Sequence, residues 1–322
     1  MVVAPFRSPW WLPGGHAQTV LPALRPPARP ALRRERWETP DGDFIDLDWA
    51  GARDAPRILV LFHGLEGSSD SHYARAIAAH AAAQGWRCVL PHFRGCSGAP
   101  NRLARAYHSG DSAEIDWIVR RLSGAMTRPG AMLCAAGVSL GGNALLKWLG
   151  EQGESAAHIV LRAAAISAPL DLAASGRALE QGLNRALYTR MFLASLKRKA
   201  LAKLAGFPGL FDAARVRAAR TLHAFDDVVT APLHGFRDAD DYWARASSAP
   251  WLARIRVPTL VLNARNDPFL PEHALLAATR AASESVMLEL PAQGGHAGFL
   301  EGPLPGRHGW LSRRLLAFLE QA

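Results

Sequence analysis

The stretch that decides the fold is Gly137-Val138-Ser139-Leu140-Gly141, a G-x-S-x-G motif. It follows an apolar run at 131–136 and precedes a run at 143–149 that is typical of a helix. A strand, this motif and a helix in that order form a nucleophile elbow, a tight turn that strains the serine backbone and exposes its hydroxyl. The flanking glycines are needed because larger side chains would collide where strand and helix meet. We therefore predict that Ser139 is a nucleophile, and the alternative is a small residue at an ordinary strand–helix junction.

Strands and helices alternate along the rest of the chain. Short apolar runs bounded by turn residues predict buried strands at 58–62, 86–91, 159–167, 258–263 and 286–290. Helices are predicted at 71–84 and 112–122, and an antiparallel hairpin with one solvent-facing side at 33–38 and 44–49. Strands that alternate with helices form a mostly parallel sheet with helices on both faces, so we expect the α/β class.

The domain organisation follows from the length and from one long gap between strands. A chain of 322 residues fits a single α/β domain over 1–322. Roughly ninety residues between the strands at 159–167 and 258–263 fit no βα unit but show apolar residues at helical spacing. We therefore expect a helical cap insertion at 170–250 over the strand ends. The Pro- and Trp-rich segment 1–30 is expected to lie extended across the body, since proline interrupts regular structure.

The net charge of +9 is a property shared by many proteins that bind nucleic acids or membranes. Arg outnumbers Lys by 33 to 4, and the arginines are spread along the chain, which indicates a GC-rich coding sequence. Nucleic acid is therefore not an expected partner. Residues 170–220 of the cap hold ten Arg or Lys and three Asp or Glu. Contact of this basic cap with an anionic membrane is a further hypothesis, and an ordinary solvated surface is the alternative.

Further expectations about the cellular compartment and about metal binding come from the cysteines, the histidines and the amino terminus. The three cysteines, Cys88, Cys96 and Cys134, show no C-x-x-C spacing and cannot all pair, which is typical of a reducing compartment. No secretory signal is evident in the first fifteen residues, so a cytoplasmic location is expected. The twelve histidines show no H-E-x-x-H or similar pair, so no metal is expected. The charge-free run at 129–146 is interrupted by glycines and predicts a strand, a turn and a helix rather than a membrane span.

A serine hydroxyl is a poor nucleophile unless a base takes its proton and an acid orients that base. In parallel-sheet hydrolases these groups follow one another as serine, acid and histidine. Asp267 lies in a loop directly after the strand at 258–263, and His296 lies in a Gly-rich loop after the last strand. Ser139, Asp267 and His296 therefore form the candidate catalytic triad.

The acid and the base each have alternatives. Asp267 precedes Pro268 and can simply begin a turn, and His296 can be an ordinary surface histidine in a glycine-rich loop. Asp171 follows the preceding strand and is a second candidate for the acid. His308 is a second candidate for the base, but it lies close to the start of the predicted last helix.

A developing oxyanion needs two backbone N–H groups that point at one position. Leu140, directly after the serine, is expected to supply one of them. Leu65, in the loop after the strand at 58–62, is expected to supply the other, because Gly64 allows a close approach. The stretch 64–69 also resembles a phosphate-binding loop, but it lacks the G-K-S/T ending, so nucleotide binding is not expected.

Several stretches of the chain resemble the bacterial YheT-like branch of the α/β-hydrolases. These are 9–13 (PWWLP), 16–19 (HAQT), 63–68 (HGLEGS), 92–98 (HFRGCSG), 100–102 (PNR), 107–110 (YHSG), 137–143 (GVSLGGN) and 225–227 (FDD). That branch is related to eukaryotic ABHD1/ABHD3-type lipid hydrolases and yeast ester synthases. The resemblance covers nearly the whole chain and implies a Ser–Asp–His triad, no cofactor and hydrolysis of carboxylic esters. One departure is Asn266, where the family often has a second aspartate, and this leaves Asp267 at the usual offset from the strand.

We therefore expect an α/β-hydrolase fold and a serine esterase acting on short- to medium-chain acyl or lipid esters, with a small-molecule ester as its partner. One alternative is an acyltransferase or ester synthase that uses the same triad and an alcohol acceptor. Residues 234–238 match an H-x-x-x-D motif that such enzymes carry. A non-catalytic ligand-binding protein of the same fold is the other alternative. The substrate itself does not follow from the sequence.

Overall fold

The computed structural model of the protein describes residues 3–126 and 130–321 and contains an eight-stranded sheet. The strands are β1 (Arg33–Glu38), β2 (Phe44–Ala50), β3 (Arg57–Phe62), β4 (Arg87–Pro91), β5 (Met132–Val138), β6 (Arg162–Ile166), β7 (Thr259–Leu262) and β8 (Val286–Glu289). Their order in the sheet is β1-β2-β4-β3-β5-β6-β7-β8. Strands β3 to β8 are parallel, and β1 and β2 form an antiparallel edge. The predicted mostly parallel α/β architecture is confirmed.

Helices cover both faces of the sheet, and further helices form the cap. Outside the cap they are α1 (Gly15–Leu24), α2 (His72–Ala83), α3 (Ser112–Gly124), α4 (Leu140–Gln152), α12 (Glu272–Thr279) and α13 (Trp310–Leu319). The cap between β6 and β7 contains α5 (Leu172–Leu179), α6 (Gly182–Asn184), α7 (Arg190–Lys203), α8 (Ala213–Ala218), α9 (Leu222–Phe225), α10 (Ala231–Leu233) and α11 (Ala239–Ala246). Two π-helical segments, Arg185–Thr189 and Asp226–Thr230, join α6 to α7 and α9 to α10. Short 3-10 helices lie at Gly153–His158 and Ala249–Arg254.

The apolar side chains of the strands alternate between two buried layers. In β3, Ile58, Val60 and Phe62 belong to a layer shared with α3 and α4. Leu59 and Leu61 belong to the other layer, which is shared with α2 and α13. Successive residues of a strand point to opposite faces, so a strand covered on both sides needs an unbroken apolar run. The loops that follow the carboxyl ends of the parallel strands are therefore attached to strands that are buried on both faces.

The hairpin of β1 and β2 differs from the sequence expectation. We predicted one solvent-facing side, but every residue of β2 is buried, including Asp46 and Asp48. Arg36 pairs with Asp46, and Arg34 pairs with Asp48, each through two nitrogens at 2.8–2.9 Å. These ion pairs satisfy the buried carboxylates, and the long arginine side chains cover them. Alternating polar and apolar residues correctly predict the hairpin. Its solvent-facing side is present on β1, where Arg34, Arg36 and Glu38 are exposed, but β2 has no such side.

The amino-terminal segment 1–30 is not extended throughout, and that expectation is corrected. Residues Gly15–Leu24 form helix α1, which contains Pro22. The stretch between Pro13 and Pro22 is free of proline, so a helix can form there. Pro22 lies near the end of this helix, where it removes only one backbone N–H. Residues 1 and 2 lie outside the described part of the chain.

The charge-free run at 129–146 is divided between β5 and α4, and Ser139 of the G-x-S-x-G motif is the residue between them. Its first residue, Pro129, lies outside the described residues. Within residues 3–126 and 130–321, the structure holds no helix that is both long enough and apolar enough to cross a bilayer.

Candidate active site

Ser139 occupies the turn between β5 and α4. Its backbone has φ 54° and ψ −121°, a conformation that residues other than glycine rarely adopt. A Cβ atom at Gly137 would lie 2.4 Å from the carbonyl oxygen of Gly141. A Cβ atom at Gly141 would lie 2.6 Å from the carbonyl oxygen of His63. Both positions therefore require glycine, and the turn has the strained geometry that its motif predicts.

Asp267 and His296 lie in loops after β7 and β8, and their side chains are hydrogen-bonded. His296 Nδ1 lies 2.8 Å from Asp267 Oδ2. The other carboxylate oxygen accepts the backbone N–H of Phe269 at 2.8 Å, so both oxygens of this buried group have partners. The Phe269 ring packs on the imidazole, with 4.2 Å between the ring centroids. The carboxylate favours the imidazole tautomer with its proton on Nδ1, which leaves Nε2 able to accept a proton.

Ser139 and His296 line the same cavity, which has a volume of about 130 Å³. The structure thus brings Ser139, Asp267 and His296 to one site. Within the described residues, the Ser139 hydroxyl makes no hydrogen bond, so the serine–histidine contact of a triad is not formed. Such contacts are often long without substrate and shorten when substrate binds. The contact between Asp267 and His296 is therefore in place, and Ser139 lines the same cavity as His296.

Among the residues that the structure describes, the backbone N–H groups of Leu65 and Leu140 have no hydrogen-bond acceptor. Leu140 is the first residue of α4, where a backbone N–H has no acceptor within the helix. The N–H groups on either side of Leu65, those of Gly64 and Glu66, donate to tyrosine hydroxyls at 2.9 and 2.8 Å. The N–H of Leu65 has no acceptor among the described residues. Both leucines line the cavity together with Ser139, which is the arrangement that oxyanion binding requires.

His63 holds the loop that carries Leu65. Its Nδ1 lies 2.8 Å from the carbonyl oxygen of Gly64, and its Nε2 accepts the backbone N–H of Phe93 at 3.0 Å. Burial lowers the pKa of His63 to about 3, so the ring is neutral, with its proton on Nδ1. A Cβ atom at Gly64 would lie 3.1 Å from the Ser139 side chain, which shows how closely the loop approaches the turn. His63 is therefore a support for the loop.

The rest of the cavity wall is largely apolar and comes mainly from the cap. Its apolar members include Leu172, Leu179, Phe192, Leu196, Leu222 and Phe225. Asp226 is half-buried in the same wall, and its carboxylate accepts hydrogen bonds from Thr230 Oγ1 at 2.6 Å and Trp243 Nε1 at 2.8 Å. Burial raises the pKa of Asp226 to about 6. The wall therefore combines an apolar surface with one carboxyl group that ionises unusually close to neutral pH.

Two residues of α1 hold the histidine loop, and sequence reasoning did not assign them to the site. Thr19 Oγ1 accepts the backbone N–H of His296 at 2.9 Å and donates to a carbonyl oxygen one turn earlier at 2.7 Å. Gln18 Oε1 accepts the backbone N–H of Gly294 at 2.8 Å. Both side chains belong to buried residues. Their signal in the sequence is the HAQT stretch at 16–19, which contributes to the family resemblance.

Asn266 joins the same network. Its Nδ2 donates to Gln18 Oε1 at 2.9 Å, and its Oδ1 accepts the backbone N–H of Gly295 at 3.1 Å. A carboxylate at this position would have no N–H to donate to Gln18. The departure from the family pattern thus has a structural role, because the amide links α1 to the loops that carry Asp267 and His296.

The alternative candidates have structural roles outside the cavity. Asp171 is the N-cap of α5 and accepts a backbone N–H at 2.9 Å. His308 Nε2 lies 2.8 Å from a backbone carbonyl oxygen. In the H-x-x-x-D stretch, the His234 ring packs against another histidine, and Asp238 is the N-cap of α11. None of these four residues lines the cavity that holds Ser139.

Known proteins share this fold and much of this sequence. Residues 57–303 match the family described as the alpha/beta hydrolase fold. The chain belongs to the α/β-hydrolase family. Over 307 residues it is 41% identical to a protein of Escherichia coli (strain K12) named "Putative esterase YheT", and the match covers 93% of this chain and 88% of that protein. The resemblance to the YheT-like branch is thereby confirmed.

Other relatives extend the similarity beyond bacteria. The chain is 32% identical over 322 residues to "Phospholipase ABHD3" of Mus musculus, and the match covers 96% of this chain and 77% of that protein. Among solved structures, an esterase from Exiguobacterium antarcticum matches with a TM-score of 0.56 at 17% sequence identity. The match covers 89% of this chain and 99% of the esterase chain. This structural likeness shows the shared fold. The esterase and phospholipase names of the relatives support a hydrolase.

Proposed function

We propose that the protein is a serine hydrolase that cleaves carboxylic esters. The observation that carries the proposal is the hydrogen bond between Asp267 and His296, whose imidazole lines the same cavity as a serine held in a strained turn. A base oriented by a buried acid, beside a serine, is the arrangement that activates a hydroxyl for attack on a carbonyl carbon. The names of two relatives, an esterase and a phospholipase, support the same chemistry.

In the proposed reaction, Ser139 Oγ attacks the ester carbonyl carbon while His296 Nε2 takes the hydroxyl proton. Asp267 holds the imidazole and stabilises its charged form. The N–H groups of Leu65 and Leu140 donate to the oxyanion. The intermediate then expels the alcohol, which receives the proton from His296, and an acyl group remains on Ser139. Water that loses a proton to His296 attacks this acyl-enzyme. The bond between the acyl carbon and Ser139 Oγ then breaks, Ser139 regains its proton from His296, and the acid leaves.

The cavity wall supports esters with an apolar acyl group. Phe192, Leu196 and Phe225 face the same space as Ser139. Transfer of apolar surface from water to such a wall contributes about 25 cal/mol per Å². Short- to medium-chain acyl esters or lipid esters are therefore the substrate class that we propose.

The test is turnover of nitrophenyl esters of increasing acyl-chain length. We expect Ser139→Ala to lower kcat by about four to six orders of magnitude while the circular dichroism spectrum stays unchanged. His296→Asn should have an effect of similar size. His308→Asn is its matched control, because His308 lies outside the cavity, and it should retain full activity. Unchanged turnover by Ser139→Ala would refute the assignment.

We propose that the acyl group on Ser139 is transferred to water rather than to another alcohol. The H-x-x-x-D match at 234–238 does not support an acyltransferase, because His234 packs against a histidine and Asp238 caps a helix. Water is therefore the acceptor that we propose. Product analysis with added alcohols distinguishes the two: we expect the free acid as the main product, and ester formation that dominates at low alcohol would show an ester synthase instead.

We further propose that the protein acts in the cytoplasm. Cys88, Cys96 and Cys134 are all free thiols, which suits a reducing compartment. Burial raises the pKa of Cys88 and Cys134 to about 12, so these two thiols stay protonated and unreactive. Fractionation of the source cells tests this location, with the protein expected in the cytoplasm or on the membrane face that borders it. Recovery from the medium or the cell exterior would contradict it.

A further inference from the structure

The helical run over the cavity carries exposed apolar side chains on its outer side. Leu183, Leu187 and Met191 are 56%, 41% and 57% exposed. They are four residues apart along α6, the π-helical segment and α7, which follow one another without a break. Side chains at this spacing lie on one side of a helix. We call these three residues, together with the exposed Arg190 and Ala194, the outer cap face.

The other side of the same helical run faces the candidate active site. Phe192 and Leu196 line the cavity that holds Ser139. The run is also anchored to α1, because the Tyr188 hydroxyl lies 3.1 Å from His16 Nδ1. A helix with its side chains is about 10 Å across. The outer cap face is therefore separated from the cavity by one helix.

The outer cap face and its surroundings are positively charged. Arg185 and Arg190 are exposed, and neither has an ion-pair partner among the described residues. Between 170 and 220, ten Arg or Lys stand against three Asp or Glu. Apolar side chains beside unpaired cations are typical of a helix that lies in the interface of an anionic bilayer. A second copy of this chain fits poorly, since the same arginines would face each other across a symmetric contact.

We propose that the outer cap face docks the protein on the surface of an anionic phospholipid bilayer. Leu183, Leu187 and Met191 would enter the boundary between headgroups and acyl chains, and Arg185 and Arg190 would contact lipid phosphates. Burial of the three apolar side chains contributes to binding, and each basic residue near an anionic surface strengthens it about five-fold. Docking in this orientation places the cavity one helix above the lipid. An ester dissolved in the membrane then lies close to Ser139.

The test is co-sedimentation of the purified full chain with phospholipid vesicles. We expect binding to vesicles of phosphatidylcholine mixed with phosphatidylglycerol, and binding that falls as salt is added. Vesicles of phosphatidylcholine alone should bind at least about ten-fold more weakly. The double variant R185Q/R190Q should bind anionic vesicles about 25-fold more weakly. The triple variant L183Q/L187Q/M191Q should bind both kinds of vesicle more weakly.

Matched variants control for charge and for exposed apolar residues elsewhere. R53Q/R280Q removes the same charge from exposed positions outside the cap, and L161Q/L276Q/M287Q replaces the same residue types at other exposed positions. Both controls should bind vesicles as the unmodified protein does. All variants should retain turnover of a soluble nitrophenyl ester, so loss of docking is distinguished from failure of the proposed hydrolase activity.

Two results would overturn the docking proposal. One is the absence of salt-dependent binding to anionic vesicles, or an equal loss of binding in the control variants. The other is self-association of the unmodified protein in analytical ultracentrifugation that L183Q/L187Q/M191Q abolishes, which would assign the outer cap face to a second copy of the chain.

Discussion

Thr19 gives a direct test of how His296 is positioned. Its Oγ1 accepts the backbone N–H of His296 at 2.9 Å and donates to the carbonyl oxygen of Gly15 at 2.7 Å. Thr19→Val keeps the shape of the side chain but removes the acceptor. An N–H left without a partner inside the protein costs about 1–3 kcal/mol. The protein can avoid this cost if the histidine loop shifts, and a shift of about 1 Å near reacting groups lowers the rate by about 10²-fold.

We therefore expect Thr19→Val to lower kcat for a soluble nitrophenyl ester by about 10- to 100-fold, with little change in KM and a lower thermal midpoint. Thr19→Ser keeps the hydroxyl and should restore most of the activity. Thr279→Val is the matched control, because Thr279 Oγ1 also donates to a carbonyl oxygen four residues earlier, at 2.9 Å. That bond lies within α12, and Thr279 does not line the cavity that holds Ser139. If the Thr19 and Thr279 variants turn over the ester equally well, Thr19 does not position His296.

Three further substitutions test the acid, the cavity wall and the elbow. Asp267→Asn should lower kcat by about 10⁴-fold in the same assay, because an amide favours the wrong imidazole tautomer, and a loss below about ten-fold would contradict its role. Asp226→Asn removes a carboxyl group whose pKa desolvation raises to about 6. The folded state binds this proton more tightly than the unfolded state, so stability falls as pH rises from about 4 to about 6, by about 3 kcal/mol in total. Denaturant titrations should thus show a larger gain in stability for Asp226→Asn at about pH 8 than at about pH 4, and an equal effect at both would contradict this. Gly141→Ala would place a Cβ atom 2.6 Å from a backbone oxygen and should abolish folded protein, whereas Gly124→Ala, which meets open space, should not, as circular dichroism and yield will show.

The sheet and the turn at its centre could be predicted because their signals are local. The run 58–62 is apolar at every position, since β3 is covered on both faces. The elbow could also be predicted from its own residues. Positions 137 and 141 have no room for a Cβ atom, so both must be glycine and the motif is visible in the sequence. The loops that carry Asp267 and His296 follow directly from the ends of two predicted strands. Each of these inferences needs only residues that are neighbours in sequence, together with the rule for parallel sheets.

The remaining features depend on contacts between distant segments. Asp46 and Asp48 alternate with apolar residues as in a half-exposed strand, and their burial depends on partners elsewhere in the chain. These partners are the arginines of β1 and, for Asp48, also Ser69 and His92. Thr19 reaches His296 across 277 positions of the chain. The HAQT stretch at 16–19 contributes to the family resemblance, but it does not show that Thr19 contacts His296. The outer cap face could not be predicted either. Helical spacing places Leu183 on an apolar side of a helix, but it does not show whether that side is buried or exposed.

The central claim is that Ser139 is the nucleophile, and a fluorophosphonate probe tests it most directly. The purified protein is incubated with the probe, and the modified residue is located by mass spectrometry of its peptides. We predict a single label on Ser139, which is absent from Ser139→Ala, strongly slowed in His296→Asn and unaffected in His308→Asn. A label that persists in Ser139→Ala, or that is found on another residue of the unmodified protein, would contradict the account.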